Sequence, residues 1–214
     1  MVLVEHTNYI KGKTMQKLIF FGDSICTGQY ISIHKGWVSR LSESLYGQLV
    51  VLNSSVNGRT TRQALGDMPY HIQEQHPDFL VIQFGMNDCN YWESDRGVPR
   101  VSPKSFEANL EEIVNRAFAF KVKKIFLNTN HPTKLNKTKI PYTKITYEDS
   151  NKQYNTIIRK VAKSNDVILN DIEPQFIKKD AMDLLLPDLL HPSEQGHKLY
   201  FDIISPVIEK EIFN

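Results

Sequence analysis

Four short stretches of this chain hold residue types that can do chemistry. In the first, Gly22-Asp23-Ser24-Ile25-Cys26-Thr27-Gly28, a serine follows directly on the apolar run 18–21. A serine at such a turn is either a nucleophile awaiting a base or the N-cap of a following helix, and the segment alone leaves both open. Its glycine spacing is neither that of a G-x-S-x-G elbow nor that of a phosphate or dinucleotide loop. The apolar run 49–52 leads into Asn53-Ser54-Ser55-Val56-Asn57-Gly58, and the run 79–84 leads into Gly85-Met86-Asn87-Asp88. Gly58 offers a backbone N–H, or is simply a turn residue that needs positive φ. Asn87 offers a side-chain amide, or closes a turn with it. A nucleophile and two donors past three successive apolar runs would suit attack on a carbonyl whose oxygen becomes negative.

The fourth stretch, Asp188-Leu189-Leu190-His191, supplies a base. An aspartate three residues before a histidine can reach its Nδ1, fix the tautomer and leave Nε2 free to take a proton. A loop histidine capping the next helix is the plainer alternative. Among the other histidines, His131 is the chief rival, following the run 124–127 but with no carboxylate close in sequence. His197 falls within the last helical segment, where it packs or faces solvent, and His34, His71 and His76 look structural. No His, Cys, Asp and Glu grouping has metal-ligand spacing, so no metal is expected.

The elements that must position these residues are legible as two periodicities. Nearly continuous apolar runs at 18–21, 49–52, 79–84, 124–127 and 167–169 predict strands covered on both faces. Between them, residues 37–46 space Trp37, Leu41 and Leu45 along one helical face. Ser102 and Pro103 mark the start of a helix whose apolar stripe is Phe106, Leu110, Ile113, Val114, Ala117 and Phe118. Residues 148–163 repeat the pattern, and a last helix is expected over 193–208, kinked or ended by Pro206. Residues 130–146, rich in Lys, Thr and Pro, read as a surface excursion and pocket rim. Alternating strands and helices predict an open, mostly parallel five-stranded α/β sheet whose ligand sits at the strand carboxyl ends.

Composition narrows the class further. The chain has 214 residues, 41% hydrophobic, which is one generous domain: an N-terminal extension over 1–16 and a single α/β domain over 17–214. The 26 Lys and Arg against 24 Asp and Glu leave +2 with no basic cluster, which argues against nucleic acid as a partner. Cys26 and Cys89 are too few for a disulfide framework and read as buried thiols in a reducing compartment. The first 15 residues hold no apolar run long enough for a signal peptide, and no stretch of about 18 apolar residues would span a membrane. A cytoplasmic enzyme is the expectation.

The four stretches, in this order, resemble the SGNH (GDSL-like) hydrolase family over residues 18–197. Gly22-Asp23-Ser24 matches the nucleophile block, with Ile25 in place of the usual leucine. Gly58 matches the glycine of the second block, Gly85-Met86-Asn87-Asp88 the third, and Asp188-Leu189-Leu190-His191 the D-x-x-H block. The resemblance implies a flavodoxin-like three-layer α/β/α sandwich and a Ser24–His191–Asp188 triad. It also implies an oxyanion hole from the N–H groups of Ser24 and Gly58 and the amide of Asn87. The implied reaction is hydrolysis of a small-molecule carboxylic ester without a cofactor. O-acetyl transfer, carbohydrate O-deacetylation and thioester cleavage use the same triad. A non-catalytic flavodoxin-like binding module ranks below these, because it leaves Asp188 and His191 idle and Asp23 would repel an anion. Tyr91, Trp92, Phe118, Phe120 and Tyr142 are candidates for an apolar pocket, and Asp95, Arg96 and Arg100 for contacts with a polar substrate.

Overall fold

The computed structural model describes residues 9, 10, 13–179 and 182–214. Most of the expected extension over 1–16 lies outside them; within it, β1 (Tyr9–Ile10) and β2 (Lys13–Thr14) pair antiparallel. The central sheet contains β3 (Lys17–Gly22), β4 (Val50–Asn53), β5 (Phe79–Gln83), β6 (Lys124–Asn128) and β7 (Ile168–Asn170). All are parallel, in the order β4-β3-β5-β6-β7. The chain thus starts in the middle of the sheet, adds one strand to one side and three to the other. The reversal falls between β3 and β5, where the crossovers leave a crevice past the strand ends.

Strands in such a sheet have no polar face, which explains their continuous apolar runs. Leu18, Ile19, Phe20 and Phe21 of β3 are all fully buried, as are Leu80, Val81 and Ile82 of β5. Helices α2 (Trp37–Ser44) and α7 (Glu194–Phe213) pack together, and the short α6 (Ile172–Lys179) lies against α7. On the other side α3 (Thr61–His71), α4 (Pro103–Ala119) and α5 (Tyr147–Ser164) pack in series, giving a three-layer α/β/α sandwich. Ser102 caps α4 by accepting from Ser105 N at 3.3 Å, with Pro103 in the first turn. Its stripe is buried from Phe106 to Ala117, but Phe118 is exposed in the last turn, where the helix ends one residue later.

Several elements differ from the sequence reading. Pro206 neither ends nor breaks the last helix, which runs on to Phe213. The ring is exposed, and Tyr200, Ile204 and Ile208 bury one face on both sides of it, so packing outweighs the missing N–H bond. Helix α3 was not expected, since Gly66 and Pro69 interrupt its pattern, yet a capping box of Thr60 and Gln63 starts it. The segment 130–146 is not wholly a surface excursion. Asn130 and His131 are fully buried, because polar side chains of α5 take up their backbone: Asn130 N donates to Asn155 Oδ1 at 2.8 Å, and Asn151 Nδ2 donates to the His131 carbonyl at 3.0 Å.

Candidate active site

Ser24 opens the four-residue helix α1 (Ser24–Thr27), where β3 turns over the crevice. The capping role falls to Asp23, whose Oδ1 accepts from Ile25 N at 3.0 Å, so the serine hydroxyl is not spent on a cap. Gly28, at φ 71°, ends the turn and donates to the Ser24 carbonyl at 3.1 Å. Trp37 Nε1 donates to the Ile25 carbonyl at 2.9 Å, tying this turn to α2.

Ser24 Oγ lies 3.1 Å from His191 Nε2, and His191 Nδ1 lies 2.6 Å from Asp188 Oδ2. The other carboxylate oxygen of Asp188 accepts from Leu190 N at 3.0 Å and His191 N at 2.9 Å. Burial opposes ionisation of Asp188, but these donors and the imidazole outweigh it and hold its carboxyl below the usual range. The loop is tight enough to force Leu189 to φ 63°, a rare conformation for a branched side chain. It is anchored from below by Leu186 N donating to the His191 carbonyl at 2.8 Å and Lys134 N to the Leu189 carbonyl at 3.0 Å.

His131, the rival base, is part of that anchorage. It is fully buried, with Nε2 2.8 Å from the Leu190 carbonyl and Nδ1 2.7 Å from the Tyr200 hydroxyl. A carbonyl only accepts, so Nε2 carries the proton and Nδ1 accepts from Tyr200. Burial pushes its pKa down to about 4, which keeps the ring neutral. His197 packs in the core, with Trp37 N 3.4 Å from its Nδ1.

Opposite His191, the crevice is closed by the ends of β4 and β5. Gly58, at φ 76°, and Asn87 line a cleft of 340 Å³ with Ser24, His191, Gln29, Asn57, Asn90, Met86, Tyr147 and Leu190. Asn87 Nδ2 donates to Asp23 Oδ2 at 3.1 Å. Burial pushes the Asp23 carboxyl up to about 7, against the Ile25 and Asn87 donors. Burial also pushes the Asp88 carboxyl up to about 6, against the Thr61 donors: its Oδ1 accepts from Thr61 N at 2.9 Å and Thr61 Oγ1 at 2.5 Å, fastening the end of β5 to the start of α3. Of the aromatic residues expected to form an apolar pocket, none lines this cleft: Trp92, Phe118, Phe120 and Tyr142 are exposed, and Phe118 and Phe120 lie where α4 ends just before β6 begins, at the opposite end of the sheet from the crevice. Sequence reasoning missed Tyr30, whose exposed ring stands edge-on to His191 at 5.1 Å; Arg100, expected to contact a polar substrate, instead donates to Asn87 Oδ1 at 3.2 Å.

A parallel sheet with a serine, histidine and aspartate in line past its strand ends is an arrangement that could carry out acyl transfer. Comparison with known proteins narrows it: the chain belongs to the GDSL-like Lipase/Acylhydrolase family, which matches residues 20–199. An arylesterase of Vibrio mimicus is 34% identical over 103 residues, covering 47% of this chain and 48% of that protein, so the match spans about half of each. An acetylxylan esterase of Geobacillus stearothermophilus is 25% identical over 86% of this chain and 90% of its own. The crystal structure of a lipase/acylhydrolase from Enterococcus faecalis superposes with a TM-score of 0.76 at 21% identity, covering 92% of this chain and 97% of that one. The chain is thus a member of a family of carboxylic ester hydrolases, and no helix among its described residues is long and apolar enough to cross a membrane.

Proposed function

We propose that the chain hydrolyses carboxylic esters with Ser24 as nucleophile, His191 as general base and Asp188 as the group that orients it. The observation that carries this is the unbroken line from Asp188 Oδ2 through His191 to Ser24 Oγ, at 2.6 and 3.1 Å. Asp188 needs the proton on Nδ1, which leaves the Nε2 lone pair facing the hydroxyl. His191 Nε2 takes the Ser24 hydroxyl proton as Oγ attacks the acyl carbon, then returns it to the departing alcohol. Water repeats the sequence on the acyl-enzyme and releases the acid. The N–H groups of Ser24 and Gly58 and the amide of Asn87 would hold the carbonyl oxygen as it becomes negative.

The cleft favours a small acyl group on a polar alcohol. Its volume is at the low end for ligand sites, and Gln29, Asn57 and Asn90 offer carboxamides where a long acyl chain would need apolar walls. Deacetylation of an O-acetylated carbohydrate fits this lining, and the Geobacillus stearothermophilus relative is an acetylxylan esterase. The test is a series of p-nitrophenyl esters from acetate to palmitate beside acetylated sugars, with Ser24→Ala as the blank. Acetate should be cleaved fastest and palmitate hardly at all, and a fluorophosphonate should label Ser24 alone. Activity surviving in Ser24→Ala, or a label mapped elsewhere, would overturn the assignment.

A further inference from the structure

The geometry points to Arg100 as a positioning residue that sets both separate arms of the oxyanion hole. It rests on the reading of Ser24, Gly58 and Asn87 proposed above. Arg100 stands at the end of the loop that leaves β5 and returns to start α4, and its own N donates to the Asn90 carbonyl at 2.9 Å. The half-buried guanidinium then forks. One arm, Nη1, donates to Asn87 Oδ1 at 3.2 Å, and the other, Nη2, donates to the Gly58 carbonyl at 3.1 Å. These are the two donors that lie off the nucleophile turn, one past β5 and one past β4.

The fork decides which way the Asn87 amide faces. A carboxamide rotated by half a turn exchanges its oxygen for its nitrogen at nearly the same shape. Here Asp23 Oδ2, which accepts, lies on one side and Arg100, which only donates, on the other. Only one orientation satisfies both. It spends one Nδ2 proton on Asp23 and leaves the second for the cleft. The positive charge at Oδ1 also polarises the amide, which strengthens the remaining N–H as a donor. At Gly58 the second arm fixes the carbonyl side of a residue that lacks a Cβ and sits at φ 76°, a conformation glycine enters and leaves at little cost. The guanidinium is itself seated against Trp92, with Cζ 5.1 Å from the ring centre. A lysine would keep the charge but could not bridge two acceptors held in a fixed fork.

Removing Arg100 should therefore cost turnover rather than ground-state binding, since the donors it aims matter most as charge develops. On p-nitrophenyl acetate, Arg100→Met should lower kcat roughly 10- to 100-fold, less than the loss of a donor itself, with KM nearly unchanged. Arg100→Lys should recover only a part of this. The decisive measurement is the pair with Asn87→Ala. Because Arg100 acts largely through Asn87, adding Arg100→Met to Asn87→Ala should cost only a few-fold more. Melting temperatures identify any variant that has lost its fold. Full kcat in Arg100→Met, a loss carried by KM, or an undiminished loss in the Asn87→Ala background would each overturn the role while leaving the nucleophile assignment intact. Activity retained in Ser24→Ala would instead remove the site reading, and this inference with it.

Discussion

Asp23 and Asn87 lie 64 positions apart yet share a hydrogen bond at 3.1 Å, so the chemistry of one cannot be altered without the other. Asn87→Ala should lower kcat by roughly 10²–10³-fold, the usual effect of removing one oxyanion donor, with KM little changed. Asn87→Asp should be worse, because a carboxylate would face both the developing oxyanion and the buried Asp23. If melting temperature falls while kcat holds, Asn87 is a turn residue and the oxyanion rests on Ser24 and Gly58. On the opposite wall, Asp188→Asn should reduce kcat less than His191→Ala, and the double variant should match His191→Ala alone, since the pair acts as a unit. Losses that multiply would separate them. At this scale the sequence was informative only where contact is local. Three residues from Asp188 to His191 bring Oδ2 within 2.6 Å of Nδ1, so that bond was legible. The bond of Asn87 to Asp23 crosses between strand ends and exists only because β3 and β5 are neighbours; that of His131 to Leu190 joins the segment past β6 to the histidine loop, and that of Arg100 to Asn87 depends on how the loop after β5 folds back.

Elements were readable where one physical signal dominated. Continuous apolar runs gave the five strands, and Ser102 with Pro103 gave the start of α4, because burial on two faces and helix capping each leave a direct mark. Helix α3 was hidden because Gly66 and Pro69 blur its period, and its position is set instead by the capping box and by Thr61 bonding Asp88. The run of α7 past Pro206 depends on a buried face that only the fold supplies. Two glycines separate structural from chemical needs at element ends. Gly196 lies in the first turn of α7, where a Cβ would collide with the Leu184 carbonyl oxygen and approach Pro192 Cβ to 2.9 Å. That carbonyl accepts from Ser193 N at 3.0 Å, two residues past His191. Gly196→Ala should therefore destabilise the protein by about 1–3 kcal/mol and lower kcat by shifting the histidine loop. Gly58→Ala meets nothing within 4 Å and keeps its N–H, so only the strain of φ 76°, about 1 kcal/mol, should appear. Thermal melts and kcat for the two variants check this. A stable but inactive Gly58→Ala would mean that the substrate itself needs the space above that residue.

For the whole molecule, buried ionisable groups of both kinds set how stability responds to pH. Burial pushes His131 down to about 4 and His197 to about 3, whereas in the unfolded chain both titrate near about 6.5. Below pH 6.5 the unfolded chain therefore binds protons that the folded one refuses, and this contribution to stability is lost as pH falls from 6.5 through 4. The buried carboxyls work the other way. Burial raises Asp23 to about 7 and Asp88 to about 6, and raises Glu148 as well. Between their unfolded values and these, the folded state holds more protons, so their contribution weakens as pH rises through that window and recovers on acidification. The two sets overlap between about pH 4 and 6.5 and offset one another, so the wild-type melting temperature should vary little there. Single substitutions should uncover the balance with opposite signs. His131→Gln keeps a donor for the Leu190 carbonyl but has no proton to gain, so its melting temperature should rise relative to that of the wild type on going from pH 6.5 to 4. Asp23→Asn keeps an oxygen to accept from Ile25 N but removes the compensating carboxyl, so its melting temperature should fall more steeply over the same interval. The slope against pH is the readout, because each substitution also shifts stability by a pH-independent amount. Parallel curves for the wild type and Asp23→Asn would show that Asp23 is ionised throughout, held so by the Ile25 and Asn87 donors in spite of its burial.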